Sequence, residues 1–436
     1  MYTARHPEIA EMVFEQVLQN PVDRYNEYTH ILQKLNISYS SDRDSFRSLI
    51  RAKNLHDLFP RHEDVLSLFE TAEQSVGRDA YLLQQMANYE RIRPNGNLQR
   101  ATDLLREAQE LEPRDTSIIH TAAEVARSRA ECSERPLERK KYRNEARALL
   151  TPILPDVYSG RYARVTLIKL GIDDLKDLLS DTDSTDRTLD EVIRSIEANL
   201  EQGKQHFPDD QHILNAEAEF GRVLEDSERT FNALKKAFRA NPRDPRIAIR
   251  LSRLHNTKGD RSSAIQCLHD SLQNNRGDKQ LNFNYALLLR DSKDSDNQKL
   301  AYHFRRAFTK WDKNYDAQFW YARYAFDSDD KEKRKEAKDV FHHLRDARIT
   351  HAARVRIRDE ITDDGVQKSF SGAVDRVESN YGFVTIDGSG EDIFFHQKNV
   401  EPTVWDKLRH GKRVQFNIGF NFGGPTALRL SLSSYK

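Results

Sequence analysis

The stretch YGFVTIDGSGEDIFFH, residues 381–396, contains two short runs of alternating side chains separated by a glycine-rich, acidic turn. Residues two apart in a β-strand point to the same face of the sheet. Tyr381 and Phe383 therefore share a face of one strand, and Phe394 and His396 share a face of the next strand. The stretch predicts two short strands, each with flat side chains along one of its faces.

The alternating pattern continues on both sides of this stretch. The predicted strands are Ser369–Val377, Gly382–Ile386, Ile393–His396, Arg413–Ile418 and Thr426–Leu432. Five short strands in about 70 residues, separated by Gly, Asn and Asp, predict a small all-β barrel of the OB type at 366–436. Upstream the pattern is helical, so the domain boundary is expected between Asp363 and Gln367.

Five motifs follow one another through this region: GAV at 372–374, YGFV at 381–384, DIFFH at 392–396, LRHGKRVQF at 408–416 and GPTA at 424–427. In this order and at this spacing they resemble the cold-shock domain, a barrel that binds single-stranded nucleic acid. The resemblance implies that the two aromatic strands lie side by side and stack bases, each base contributing ~1–3 kcal/mol. Duplex bases cannot reach such a surface, whereas the bases of a single strand can.

The resemblance implies a base-stacking surface of four flat side chains. They are Tyr381, Phe383, Phe394 and His396. The alternative is that these rings fill the barrel core. That alternative is disfavoured because the apolar residues Val384, Ile393 and Phe395 are available for the interior.

One motif departs from the family pattern. Bacterial cold-shock proteins usually have Lys-Trp-Phe after the Gly-x-Val strand, and this chain has Asp375-Arg376-Val377. An aromatic stacking position is thus replaced by Arg376, whose guanidinium can stack on a base or pair with a phosphate. Binding is expected to be weaker or to cover fewer bases. Phe420 and Phe422 either restore an aromatic contact or form a hydrophobic plug.

The predicted barrel is only mildly basic, since 368–436 contains nine Lys or Arg and seven Asp or Glu. Nucleic-acid affinity is therefore expected to be modest and salt-dependent. The candidate phosphate contacts are Lys398, Lys412, Arg413 and Arg429, each of which is alternatively a solvated surface charge. A basic flank precedes the barrel and either extends the nucleic-acid track or faces solvent. It consists of Arg345, Arg348, Arg354, Arg356 and Arg358.

Helical segments at 61–177 and 191–362 carry a repeated pattern. Acidic residues that precede a new helix fall at Asp210, Asp244 and Asp278, a spacing of 34 residues. This period resembles the tetratricopeptide repeat, in which paired helices approach closely where small residues meet large ones. The predicted packing positions are Ala87, Ala101, Leu105, Ala108, Ala218, Leu234, Ala237, Leu251, Ala264, Leu268, Tyr285, Ala286, Leu289, Ala307, Phe319, Trp320, Ala322, Tyr324, Ala337 and Phe341. The repeats are degenerate, with Thr230, Ser252, Ser271 and Arg276 at sites where Ala, Gly or Pro is usual.

Two further segments complete the chain. Residues 1–60 are helical by pattern but match the repeat poorly, and the polar, acidic stretch 178–190 predicts a loop between two helices. Residues 3–14 resemble the segment that follows the nucleotide-binding module in bacterial STAND-type NTPases. The chain has no Gly-x-x-x-x-Gly-Lys-Ser/Thr sequence, so a phosphate cradle of that kind is not expected.

Composition narrows the function classes. The 69 basic residues balance 69 acidic ones, which excludes a chain coated in basic charge and requires nucleic-acid contacts to be local. The isolated cysteines Cys132 and Cys267 have neither disulfide nor metal spacing, and a reducing cytoplasm is expected. No apolar run reaches the ~18 residues of a membrane span. No catalytic constellation is found, so neither enzymatic activity nor a cofactor nor a metal is predicted.

These patterns support two hypotheses. In the first, the chain is an adaptor whose barrel binds single-stranded RNA or DNA while the repeat array binds a protein or peptide. In the second, it is a regulatory scaffold subunit of a bacterial STAND-like assembly, and the barrel is a docking or sensing module. Neither the base sequence nor the protein partner can be read from these residues.

Overall fold

The structure, a computed structural model, describes residues 17–18, 20–156, 159–180, 186–292, 296–309, 312–326, 328–356, 358–363 and 366–433. The chain divides into two compact units, Met1–Asn274 and Asn275–Lys436. The first unit is helical throughout its described residues, and the second combines helices with a β-barrel.

Paired helices make up the first unit. They are α1 (Pro21–Lys34), α2 (Ser40–Leu49), α3 (Ala52–Leu58), α4 (His62–Val76), α5 (Ala80–Ile92), α6 (Leu98–Leu111), α7 (Thr116–Cys132), α8 (Pro136–Leu150), α9 (Ser159–Ser180), α10 (Asp186–His206), α11 (Gln211–Val223), α12 (Ser227–Ala240), α13 (Pro245–Thr257) and α14 (Arg261–Asn274). Consecutive helices from α5 onward pack in pairs, such as α5 with α6, α11 with α12, and α13 with α14. This arrangement confirms the prediction of TPR-like helical repeats.

The 34-residue spacing of acidic residues has a local cause. Asp210 caps α11 by accepting hydrogen bonds from the backbone N–H groups of His212 and Ile213 at 2.8 and 3.1 Å. Asp244 caps α13 in the same way, and Asp278 caps the helix that begins at Lys279 by accepting the N–H of Leu281. An N-cap carboxylate satisfies amide groups that have no partner inside the helix and lies near the positive end of the helix dipole. Each of these repeats therefore begins at a capping aspartate.

The predicted small and large positions lie at the contacts between helices. All of them are buried except Leu289, which is half-buried. The degenerate position Thr230 is accommodated because its hydroxyl donates to the carbonyl of Asp226 at 2.8 Å. A Cβ at Gly221 would lie 2.8 Å from that hydroxyl oxygen, so α11 and α12 approach closely at this glycine.

The segments outside the repeats differ in part from expectation. Helices α1 to α3 agree with the helical pattern predicted for 1–60, while residues 3–14 lie outside the described residues. The loop predicted at 178–190 is too long, since α9 ends at Ser180 and α10 begins at Asp186. Residues 181–185 also lie outside the described part. Polar composition suggested a loop here, but a solvent-facing helix end has the same composition.

The second unit begins with helices and ends with strands. Its elements are α15 (Lys279–Arg290), α16 (Asn297–Arg306), α17 (Tyr315–Phe326), α18 (Lys331–Asp346), α19 (His351–Val355), β1 (Asp359–Glu360), β2 (Thr362–Asp363), β3 (Val366–Gln367), β4 (Ser369–Val377), β5 (Tyr381–Ile386), β6 (Asp392–His396), α20 (Pro402–Trp405), β7 (Arg413–Asn421) and β8 (Gly424–Leu432). Strands β4 to β8 correspond to the five predicted strands.

These five strands close into a barrel. The sheet order is β7-β4-β5-β6-β8, and β8 pairs again with β7, so the ring has no free edge among these strands. Strand β1 adds to β7 outside the ring, and its neighbour Ile361 is buried and donates its N–H to the carbonyl of Ile418 at 3.0 Å. Strand structure thus starts at Asp359, upstream of the expected boundary, because a two-residue strand has no alternation to detect.

A helix-facing seam joins this barrel to α17 and α18. It consists of Phe319 and Phe341 from the helices and Phe420 and Phe422 from β7 and its following turn. The rings of Phe341 and Phe420 stack at 6.1 Å between centroids, and those of Phe319 and Phe422 meet edge to face at 5.6 Å. Buried Arg323 adds an ion pair, with its Nε 2.6 Å from Oδ2 of Asp359. Barrel and helices therefore share one core.

Candidate nucleic-acid interface

The strand register arranges the predicted stacking residues in rows. Arg376 on β4 lies opposite Phe383 on β5, and Phe383 lies opposite Phe394 on β6. In the adjacent row, Tyr381 lies opposite His396. Side chains on paired residues lie on the same face of a sheet. The structure thus brings together the four predicted side chains, which we call the aromatic platform: Tyr381, Phe383, Phe394 and His396.

A glycine makes the platform possible. Gly382 lies opposite Phe395, and a Cβ at Gly382 would lie 2.4 Å from Cζ of Phe395. The missing side chain lets the Phe395 ring fill the barrel interior, where it is fully buried together with Val384 and Ile393. The two rings that flank the glycine, Tyr381 and Phe383, therefore lie outside the barrel. The glycine itself leaves room for the ring of Phe395 inside.

The platform rings contact one another and remain accessible. Tyr381 and Phe394 are stacked at 5.9 Å, and Phe383 meets Tyr381 and Phe394 edge to face at 6.0 and 5.9 Å. Tyr381 is 36% exposed, and the other three side chains are partly exposed. Nδ1 of His396 accepts the backbone N–H of Lys398 at 3.1 Å, which fixes the imidazole orientation. Aromatic faces in this arrangement can stack on unpaired bases.

The substituted motif places a cation on the platform. A bulge between Val374 and Arg376 shifts the register of β4 against β5. Cζ of Arg376 then lies 4.5 Å from the centroid of the Phe383 ring. The guanidinium covers one face of that ring in a cation–π contact and offers its own flat, charged surface to a base or phosphate.

The four predicted phosphate contacts differ in their surroundings. Lys398 is exposed and Lys412 is half-buried, and neither side chain has an ion pair with a described residue. Arg413 is held by a bidentate pair with the carboxylate of Asp387. Arg429 makes a bidentate pair with Glu360 at 2.8 and 3.1 Å. The two arginines would have to exchange a protein carboxylate for a phosphate.

Of the two roles predicted for Phe420 and Phe422, the structure has the hydrophobic plug and not the aromatic contact. Phe420 is fully buried and Phe422 is 5% exposed, because both belong to the helix-facing seam. They form the hydrophobic plug and present no ring to a base. The sequence shows their apolar character but not the helices that cover them.

The five arginines of the basic flank also differ in their partners and exposure. Arg354 donates to the carbonyl groups of Leu344, Arg345 and Ala347, so it closes the end of α18. Arg358 pairs with Asp316 at 2.9 Å and lies over the rings of Phe319 and Phe422. Arg345, Arg348 and Arg356 are exposed.

A cleft adjoins the platform and was not predicted from the sequence. It has a volume of about 720 Å³ and lies between α18 and the β6–β8 side of the barrel. Its walls include Phe383 and Phe394 of the platform together with Lys338, His342 and Arg345 of α18. No local pattern indicates it, because these helical residues lie about 40 to 90 positions upstream of the strand residues that line the cleft.

A metal-binding cluster and a membrane-spanning helix are two further features that a chain of this size can have. Within the described ranges, no group of three or more His, Cys, Asp or Glu side chains is placed to hold a metal ion. In that same part of the chain, no helix combines the length and apolar composition that a membrane crossing requires.

A closed five-stranded barrel with an exposed aromatic row defines a barrel of the OB type. The family described as 'Cold-shock' DNA-binding domain matches residues 370–433. Through this C-terminal barrel the chain belongs to the cold-shock domain family, and the domain is preceded by TPR-like helical repeats. The family places the barrel in the class of nucleic-acid-binding modules.

Curated relatives match a segment of this chain no longer than the barrel. The cold shock protein ScoF of Streptomyces coelicolor is 36% identical over 50 residues, which are 12% of this chain and 75% of the relative. A cold shock protein of Arthrobacter globiformis is 36% identical over 55 residues, 13% of this chain and 82% of the relative. The cold shock-like protein CspA of Bordetella pertussis is 29% identical over 70 residues, 16% of this chain and 97% of the relative. These relatives consist of little more than the barrel.

Solved structures similar to this chain include a thermophilic TPR protein of Thermus thermophilus. It has 15% identity and a TM-score of 0.31 over 56% of this chain and 99% of that chain. A tetratricopeptide repeat protein of Parabacteroides merdae has 12% identity and a TM-score of 0.34 over 64% of this chain and 98% of that chain. The resemblance of residues 3–14 to STAND-type proteins has no counterpart among these matches.

Proposed function

We propose that this chain is an adaptor that binds single-stranded RNA or DNA on the aromatic platform and a protein or peptide through its helical repeats. The observation that carries the proposal is the exposed row of rings on β5 and β6, in a barrel whose core is already filled by other side chains. Exposing three aromatic rings to water is unfavourable unless they have a ligand.

The electrostatics support a single strand bound mainly by stacking. The exposed cations near the platform are few, and Glu378 and Asp392 add negative charge beside it. Stacking tolerates any base and requires splayed bases, whereas a duplex is held chiefly through its phosphates. We therefore expect moderate affinity with a shallow salt dependence.

The experiment is fluorescence anisotropy of labelled single-stranded RNA, single-stranded DNA and duplex DNA with the full chain across a salt series. The variant Tyr381→Ala/Phe394→Ala is expected to weaken single-strand binding by about a hundredfold, since each lost stack costs ~1–3 kcal/mol. The matched control is Tyr302→Ala, which removes a tyrosine that is 54% exposed and lies outside the barrel. Wild-type affinity retained by a folded double variant contradicts the proposal.

The partner role rests on paired charges that connect successive helices of the first unit. Arg127 on α7 pairs with Asp173 on α9 at 2.7 Å, and Lys176 on α9 pairs with Glu219 on α11 at 3.2 Å. Hydrogen bonds from Arg222 and Lys176 lower the pKa of Glu219 to about 2, so this carboxylate stays charged. A row of fixed charges across successive repeats suits recognition of a polar segment of another protein.

The alternative is a regulatory scaffold in which the barrel docks to protein. The contact of Arg376 with Phe383 favours it, because a guanidinium occupies a surface that a base would otherwise use. Absence of binding to every single-stranded probe would support the scaffold. If the chain purifies without any protein partner, that result would count against protein binding by the repeats in both the adaptor and the scaffold hypotheses.

A further inference from the structure

We propose that the cleft between α18 and the barrel is a second nucleotide subsite, which receives the nucleotide next to those stacked on the platform. This inference rests on the proposed function, since it needs a single strand on the platform. It assigns part of the binding site to a helix of the repeat region rather than to the barrel.

The cleft begins where the platform ends. Phe394 lies opposite Thr426 on β8, and both residues line the cleft together with Phe383. A strand that crosses the platform from Arg376 through Phe383 to Phe394 therefore arrives at the cleft mouth. Consecutive nucleotides can follow this row without leaving the surface.

The dimensions and the lining fit a nucleotide. A volume of about 720 Å³ falls within the ~300–1,000 Å³ of pockets that hold small ligands. Apolar and aromatic groups from Phe326, Phe383, Phe394 and Pro425 supply surfaces for a base. Flat rings beside polar groups suit a nucleobase better than an aliphatic side chain.

The helical wall supplies the charge that a phosphate needs. Lys338 is ion-paired with Glu391 at the cleft, and its side chain is 49% exposed. Arg345 is exposed and donates from Nη2 to the carbonyl of Gly423 at 3.0 Å, which directs its guanidinium along the cleft. His342 is exposed between them on the same helix face. Positions 338, 342 and 345 share that face because they are four and three residues apart.

Acidic groups in the cleft are already engaged. Glu391 is held by Lys338, and Oδ1 of Asp392 accepts the hydroxyl of Thr385 at 2.7 Å. Arg354 also lines the cleft, but it is used to close α18. A phosphate would therefore compete with Glu391 for Lys338 and add to the single bond that Arg345 makes to Gly423.

The curated relatives have no room for such a wall. Bordetella CspA is matched over 97% of its length by the barrel region, so it has no equivalent of α18. The subsite is thus a property of the composite second unit. Its expected effect is to lengthen the stretch of nucleic acid that the barrel binds and to offset the loss of an aromatic at Arg376.

The test compares oligouridylate and oligothymidylate probes of about four and about eight nucleotides on the full chain, a range that spans the footprint of one OB barrel. The variant is Lys338→Gln/Arg345→Gln. The matched control is Lys333→Gln/Lys335→Gln, which removes two charges from exposed residues of α18 that do not line the cleft.

The cleft variant is expected to lose about tenfold in affinity for the longer probe and less than about twofold for the shorter one. Its salt slope for the longer probe should fall by about 0.7 for each phosphate that the protein no longer neutralises. The control should leave both affinities within about twofold. Equal losses in variant and control would overturn the inference, because they would report only the overall charge.

A second measurement needs no variant. A 4-thiouridine oligonucleotide of about eight nucleotides is irradiated on the wild-type chain, and the cross-linked peptides are mapped by mass spectrometry. Cross-links in α18 support the subsite, and cross-links confined to β4–β6 overturn it. If the wild type binds neither probe, the proposed function fails and the subsite fails with it. If Tyr381→Ala/Phe394→Ala abolishes binding but the cleft variant equals the wild type, only the subsite fails.

Discussion

The barrel carries two aromatic clusters that differ in what covers them. The aromatic platform on β5 and β6 is open, with Tyr381 36% exposed. The helix-facing seam places Phe420 and Phe422 against Phe319 and Phe341, and all four rings are buried. Both clusters arise from aromatic residues spaced two apart in the chain. The difference shows that the element packed outside the barrel decides whether such residues stay exposed or are buried in the core.

Truncating one ring in each cluster should affect stability very differently. Phe420→Ala should lower the free energy of unfolding of the second unit by about 3–5 kcal/mol, because it leaves a cavity in the shared core. Phe394→Ala should cost about 1 kcal/mol, since its ring is partly exposed. The measurement is urea unfolding followed by tryptophan fluorescence, which reports on this unit because all three tryptophans, at 311, 320 and 405, belong to it.

Nucleic-acid binding should show the opposite order. Folded Phe420→Ala is expected to bind single strands within about twofold of the wild type, whereas Phe394→Ala should lose about tenfold. A Phe420→Ala protein as stable as the wild type would show that the seam does not hold barrel and helices together.

The second prediction concerns the ion pair behind the seam. Arg323→Ala leaves Asp359 without its partner and should destabilise the second unit by about 2 kcal/mol, less than for a fully buried pair because Asp359 is 29% exposed. The control is Arg429→Ala, because the Arg429 side chain is 51% exposed and its pair with Glu360 should contribute less than about 1 kcal/mol. Equal effects of the two variants on the urea midpoint would contradict the expectation that the Arg323–Asp359 pair stabilises the unit more than the Arg429–Glu360 pair.

The smallest effect is expected at Arg376. Arg376→Ala removes the cation over Phe383 and should change single-strand affinity by less than about threefold, since an opened ring face offsets a lost charge. The slope of log affinity against log salt should become shallower by up to about 0.7. An affinity gain of tenfold in anisotropy titrations would mean that Arg376 blocks the platform instead of serving it.

Much of this architecture could be predicted from local pattern. The five strands, their approximate bounds and the stacking face follow from alternation, which depends only on backbone geometry. The aspartates at 210, 244 and 278 mark helix starts because capping is a local interaction. Burial at positions such as Ala101 and Ala237 follows from the repeat period.

The remaining features depend on contacts between segments far apart in the chain. The sequence alone does not show that Phe420 is buried. Its burial follows from the contacts with α17 and α18. The sequence places Arg354 and Arg358 in a basic flank. In the structure Arg354 closes the end of α18, and Arg358 pairs with Asp316. The cleft requires the position of α18 relative to β8, which no local pattern contains.

The shared core of helices and barrel has a mechanical consequence. Strand β1 begins four residues after α19 ends, and Ile361, Phe341 and Phe420 lie in one hydrophobic cluster. A force applied to the barrel would pass to α17 and α18 through this core. A flexible tether would instead extend and absorb the force. The barrel and the helices next to it would therefore bear such a load together.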